Sequence, residues 1–182
     1  MSEQQSERDD ISFRAPNIDD GAAVYQLVKR SPPLDLNSPY CYLLLCDHFS
    51  ETCILARHGS QVAGFISAYR HPGKPDTLFV WQVAVTEEMR GRGLAGLMLE
   101  RILSNAPWAS WIETTVTPSN RASLSFFQAF ADAGGAGCHR QPYMTEDLFG
   151  TDAHEEEMLL RIGPLNTTDK KLIHRRRHHE NF

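Results

Sequence analysis

Residues 78–103 read LFVWQVAVTEEMRGRGLAGLMLERIL, and no other stretch restricts the folding of this chain as tightly. LFVWQVAV is a continuous apolar, β-branched run of the kind that makes a buried strand. LAGLMLERIL then brings its apolar residues back at helical spacing. Between them stand Arg90, Gly91, Arg92 and Gly93, so the chain passes from strand to helix through glycines that accept positive φ. A helix entered this way exposes unpaired N–H groups and the positive end of its dipole, and an anion such as a phosphate is stabilised there. Arg90 and Arg92 add formal charge; the bland reading of the same residues is a glycine-rich helix entry with solvated arginines. The absence of a following Lys-Ser/Thr argues against a P-loop, and the lack of a third spaced glycine and of a βαβ setting argues against a dinucleotide-binding turn.

The rest of the chain supplies strands and helices around that unit. ISFRAP (11–16) reads as a short strand stopped by Pro16, and IDDGAAVYQLVKR (18–30) as a helix with Ile18, Ala22, Tyr25 and Val28 or Lys29 on one face. SPPLDLNSP (31–39) is a proline-punctuated loop, followed by a short helix over YCYLLLCDHF, with Ser38 as its cap and Pro39 in its first turn. ETCILARHGSQVAGFISAYRH (51–71) holds two runs joined by HGSQ, a hairpin signal, and TLFVWQVAV extends the antiparallel meander. SWIETTVT predicts a strand, SNRASLSFFQAFADA a helix capped by Ser119, and GAGCHRQPYM and EEEMLLRIG two late strands. The expected fold class is α/β, or α+β, with a mixed, mainly antiparallel sheet of about six or seven strands flanked by helices.

With 182 residues, 41% of them apolar, the chain suits one domain, placed at 11–165 between a flexible N-terminus (1–10) and a basic, disordered tail (166–182). The longest apolar run, YCYLLLC, falls far short of the roughly 20 residues that span a bilayer, so the expectation is a cytoplasmic protein without a membrane partner. Cys41, Cys46, Cys53 and Cys138 form no CxxC pair and read as reduced core side chains. The net charge of −5 divides into +3 on residues 166–182 and −8 on the body, which disfavours nucleic acid and suits a cationic small molecule. The eight histidines show no metal-ligand spacing, so no metal is expected.

WQVAVTEEMRGRGLAGLMLE resembles the acyl-CoA-binding signature of the GNAT superfamily of N-acetyltransferases, whose pattern Q/R-x-x-G-x-G/A falls here on Arg90, Gly91, Arg92, Gly93, Leu94 and Ala95. TPSNRASLSFFQAF resembles the second motif of that superfamily, with Asn120 opening a helix beside the cofactor. The resemblance implies acetyl-CoA as cosubstrate, with its pyrophosphate on the Arg90–Ala95 turn and its pantetheine arm along Val83, Ala84 and Val85. It further implies direct attack by an amine on the thioester, with the backbone N–H near Val83 as oxyanion donor, and a homodimer. Phe127 stands where many members carry a Tyr that protonates the leaving thiolate, and phenylalanine has no proton to give.

SPPLDLNSPYCYLLL, WQVAV, ETTVTPSN and HEEEMLLRIGP resemble, more narrowly, the diaminobutyrate acetyltransferases of ectoine biosynthesis, over about residues 12–165. The implied substrate, L-2,4-diaminobutyrate, carries two ammonium groups and one carboxylate, so its pocket needs acids and an anion donor. Asp35, Glu113 and Glu157 are the acids in the matching stretches. Glu113, which shares a strand face with Thr115 by alternation, is the expected proton acceptor, against a strand-end glutamate in solvent. Asp35 suits the second ammonium; Tyr40 and Tyr42 line the pocket or simply pack; Trp81 walls the pocket or joins the core. His154 and Glu157 close the site, or belong to an ordinary acidic turn before a strand. Two other outcomes stay open: acetylation of a different amine such as ornithine or lysine, and a non-catalytic acyl-CoA sensor.

Overall fold

The hairpin signal at HGSQ resolves into β2 (Ile54–His58) and β3 (Gln61–Arg70), joined by Gly59 and Ser60, with Gly59 at φ 56° as a tight hairpin turn requires. The computed structural model describes residues 11–151 and 154–165. The expected flexible N-terminus and basic tail lie outside those residues. Also present are β1 (Ile11–Arg14), β4 (Thr77–Val85), β5 (Trp111–Val116), β6 (Gly137–Met144) and β7 (Glu157–Gly163). The helices are α1 (Gly21–Lys29), α2 (Pro39–Asp47), α3 (Leu94–Asn105) and α4 (Arg121–Ala133). The sheet has seven strands in the order β1-β2-β3-β4-β5-β7-β6. The chain divides into two compact units, one made of the residues up to Tyr69 with Trp81–Asn105, the other of Arg70–Val80 with the residues from Ala106 on.

In the first unit β1 and β2 pair antiparallel from Ile11↔His58 to Arg14↔Leu55, and β2 pairs antiparallel with β3 through a bulge at Ala56/Arg57. The core gathers Val24, Leu27 and Val28 of α1, Tyr42, Leu45 and Cys46 of α2, and Leu55, Phe65 and Ala84 of the sheet. Each such aliphatic side chain removed from water is worth about 1.5–3 kcal/mol. The buried face of α1 differs from the sequence expectation: Ile18 is 52% exposed and Ala22 is exposed, whereas Gly21, Val24, Leu27 and Val28 are buried. Residues Ile18–Asp20 form a 3-10 turn instead of the first α-turn, closed by a capping box between Asn17 and Asp20. A 3-10 turn advances the chain about 120° per residue instead of about 100°, so a periodicity counted from Ile18 runs out of phase. Ser38 caps α2 as expected, its Oγ accepting from the Cys41 amide at 3.3 Å, with Pro39 in the first turn.

In the second unit β4 pairs parallel with β5 from Thr77↔Trp111 to Phe79↔Glu113, while β5 with β7 and β7 with β6 are antiparallel. The cap of α4 is Asn120, whose Oδ1 accepts from the Ser123 amide at 3.1 Å, and not Ser119. Ser119 lies one residue too early to reach that amide, and its own N–H donates to Glu155 at 2.9 Å. Leu124, Phe127 and Ala131 form the buried stripe of α4, and Arg140 of β6 donates to Gln128 on the same helix at 2.9 Å.

Candidate active site

The turn into α3 has the backbone its sequence demands. Gly91 and Gly93 sit at φ 71° and 79°, where an L side chain is strained although no atom lies within 4 Å of a Cβ placed at either. Conformation, not crowding, therefore fixes glycine at both. Arg90 donates from Nε to the Val85 carbonyl at 3.2 Å, and the first amide to close an α-turn is that of Leu97, onto Gly93 O at 3.1 Å. The amides of Leu94, Ala95 and Gly96 thus head the helix, where an anion meets the positive end of its dipole.

β4 leads into that turn with alternating exposure. Gln82 and Ala84 are buried, Trp81 is 41% exposed, and Val83 and Val85 are half-buried. Trp81 and Val83 therefore share a face away from the core, which rules out core packing for the tryptophan. Among the described residues of this unit, the loop between α1 and α2 is tied to the buried side of the strand. Gln82 Nε2 donates to the Asp35 carbonyl at 2.6 Å, and the Tyr42 hydroxyl donates to Gln82 Oε1 at 3.3 Å while accepting from the Asn37 amide at 3.2 Å. Tyr40 and Tyr42 part company: Tyr40 is 66% exposed, whereas Tyr42 is fully buried. Two residues along a helix turn by about 200°, so only one of the pair faces out. Tyr42 supports the loop from inside, and burial pushes its phenol above the usual range.

In the second unit Glu113 is 1% exposed, which excludes a solvated strand-end glutamate. Both of its oxygens accept from Lys74 Nζ at 2.8 Å, and Arg161 Nη1 lies 3.3 Å from Oε1. Arg161 in turn lies over Trp111, 4.3 Å from the ring. Thr115, two residues along, is half-buried opposite Leu159. His154 stacks on Phe149 with ring centroids 4.0 Å apart, its Nδ1 is 2.6 Å from the Glu155 carbonyl, and its Nε2 is 4.0 Å from Glu157 Oε1. With Nδ1 engaged by that carbonyl, Nε2 is the ring nitrogen that faces Glu157. Phe127 is 2% exposed, edge-on to Phe126 at 4.9 Å.

Sequence reasoning gives no role to Gln82, Lys74 or Arg161. Gln82 leaves one trace, a lone amide within an apolar strand run, and a buried amide needs partners. Nothing local marks the other two.

Residues 21–131 match the model of the Acetyltransferase (GNAT) family. The chain belongs to the GNAT acetyltransferase family. Relatives within it include the L-2,4-diaminobutyric acid acetyltransferase of Bordetella parapertussis, 49% identical over 155 residues that cover 84% of this chain and 83% of the relative. The protein of the same name from Marinococcus halophilus is 43% identical over 158 residues, covering 86% and 91%. Among solved structures, the diaminobutyrate acetyltransferase of Paenibacillus lautus, in complex with its substrate L-2,4-diaminobutyric acid and coenzyme A, superposes with a TM-score of 0.81 at 41% identity. That likeness covers 85% of this chain and 95% of the other. The GNAT fold follows for this chain, with its seven-stranded mixed sheet and the glycine turn at the head of α3.

Proposed function

We propose that this GNAT acetyltransferase moves the acetyl group of acetyl-CoA to the 4-amino group of L-2,4-diaminobutyrate, giving N4-acetyl-L-2,4-diaminobutyrate for ectoine synthesis. The observation that carries this reading is the 49% identity with a diaminobutyrate acetyltransferase over 84% of the chain. The pyrophosphate sits on the amides and arginines of Arg90–Ala95, the pantetheine arm runs along Val83–Val85, and Asn120 is a further cofactor-binding residue. Held there, the thioester is attacked directly by the neutral 4-amine; the carbonyl oxygen gains charge that the Val83 N–H stabilises, and the coenzyme A thiolate leaves. Phe127 gives that thiolate no proton. Asp35, Tyr40, Trp81 and Thr115 bind the amine substrate.

The incoming ammonium must lose a proton before it attacks. Glu113, the acid expected for that step, has both oxygens engaged by Lys74, with Arg161 beside them, so a substrate ammonium would have to compete with two cations. That arrangement favours Glu113 as a fixed anion, and we assign proton acceptance to the His154–Glu157 pair, whose Nε2 and carboxylate face one another at 4.0 Å. The same reading extends to a cytoplasmic homodimer of one acetyltransferase domain over 11–165. No helix among the described residues is long and apolar enough to cross a membrane.

The test is incubation with acetyl-CoA and, separately, L-2,4-diaminobutyrate, ornithine, lysine and a peptide, following thiol release and locating the acetyl group by NMR. Fast release with the acetyl on N4 of diaminobutyrate is expected. Slower release with ornithine is compatible, because one methylene discriminates by only about 1–3 kcal/mol. Release with a different amine alone overturns the substrate, and no release with any amine leaves an acyl-CoA sensor.

A further inference from the structure

We infer that Gln82 is a positioning residue that sets Asp35, and with it the amine substrate, relative to the strand that holds the thioester. This rests on the proposed reading of Asp35 as a substrate-binding acid. Gln82 is 5% exposed and projects into the first unit from β4, next in the chain to Val83. Its backbone is fixed, since the Gln82 N–H donates to Ser67 Oγ at 3.1 Å. Its side-chain amide then grips the loop through both of its ends. Nε2 reaches the Asp35 carbonyl at 2.6 Å, and Oε1 accepts from Tyr42, whose oxygen takes the Asn37 amide at 3.2 Å. Two backbone points of the loop, at Asp35 and Asn37, are thereby referred to one residue of β4.

The chemistry of the contact explains why a glutamine stands there. The side chain must donate at one end and accept at the other, in a buried place where an unmet donor or acceptor costs about 1–3 kcal/mol. Asparagine is one methylene short. Glutamate keeps the acceptor but brings a charge without the donor, and methionine keeps the volume but neither function. The Asp35 side chain is exposed, and the loop backbone that Gln82 holds is what carries its carboxylate. A diamine held by Asp35 is then measured off from Val83, one residue along the strand from Gln82, and the strut sets which chain length brings the free amine to the thioester.

The experiment compares wild type with Gln82→Met and Tyr42→Phe, checking each by thermal unfolding. Hydrogen exchange at the Asn37 amide needs no substrate: it should rise at least about tenfold in both variants, and unchanged exchange overturns the strut. In kinetics, Gln82→Met should raise KM for L-2,4-diaminobutyrate by about tenfold, keep KM for acetyl-CoA within about twofold, and narrow the preference for diaminobutyrate over ornithine. An equal rise in both KM values, or unchanged amine selectivity, overturns the inference while the proposed function stands. If wild type acetylates no diaminobutyrate, the proposed function fails and the role of Gln82 in amine binding falls with it, whatever the exchange shows. Tyr42→Phe decides the matter should Gln82→Met not fold.

Discussion

Both carboxylate oxygens of Glu113 accept hydrogen bonds from the Lys74 ammonium at 2.8 Å, although the two residues lie 39 positions apart and Glu113 is buried. Arg161 approaches the same carboxylate from β7, so one buried anion meets two cations that are each more than a third exposed.

Glu113→Gln removes the anion and leaves Lys74 and Arg161 facing a neutral amide. Breaking a buried pair costs about 3–5 kcal/mol, and partial exposure of both cations reduces this to roughly 1–3 kcal/mol. The midpoint of thermal unfolding should therefore fall by several degrees. Glu157→Gln, by contrast, should lower kcat/KM for the amine by about 100-fold with little change in stability. If Glu113→Gln at matched folding loses more turnover than Glu157→Gln, the proton acceptor is Glu113 after all.

Gly93→Val forces a β-branched residue to φ 79°, which costs more than the roughly 1–2 kcal/mol of an ordinary L residue there. Combined with Arg90→Ala, it should raise KM for acetyl-CoA by at least about tenfold and leave KM for the amine near its original value. Unchanged acetyl-CoA binding by calorimetry would remove the pyrophosphate from this turn.

Asp20 gives an acid-sensitive contribution to stability. Burial pushes its carboxyl up, but the Arg14 hydrogen bond, the Asn17 amide and the charges of Arg14 and Arg57 together hold it below the ordinary 3.8. The unfolded state then binds more protons than the folded state between the two values, so stability rises with pH across that window. The contribution is complete above about pH 4 and is lost as pH falls through the folded value. Asp20→Asn should lower the unfolding midpoint most at pH 7, with the gap to wild type closing below about pH 4; a gap independent of pH contradicts this account.

Cys46 and Cys53 are buried, and desolvation pushes both thiols up to about 12. The thiolate is the reactive species, so neither should react with a disulfide reagent at pH 8 in the native protein, and both should react on unfolding. Peptide mapping after a timed exposure reads this directly. Labelling of Cys53 at the rate of a free thiol would mean that the unit opens far more readily than its packing implies.

Much of the fold was legible because its signals are local. Apolar, β-branched runs marked the strands, the HGSQ turn marked the hairpin, and Ser38-Pro39 marked the start of α2. The misses were local as well. The 3-10 turn at Ile18–Asp20 rotated the buried face of α1, and the cap of α4 moved one residue to Asn120, where the side chain reaches the Ser123 amide. In the site, the glycine turn was readable because positive φ is a property of single residues.

By itself, then, the sequence determined the GNAT family, the order of the strands and helices along the chain, and the turn that heads α3, all carried by residues within a few positions of one another. Tertiary structure alone decided which polar groups are satisfied by which. Glu113 meets Lys74 across 39 positions and Gln82 meets Asp35 across 47, through loops whose course has no periodic signature. Such pairs depend on strand register and on where a loop lands, and burial makes each partner obligatory because an unpaired charge or amide inside the protein costs more than the pair returns.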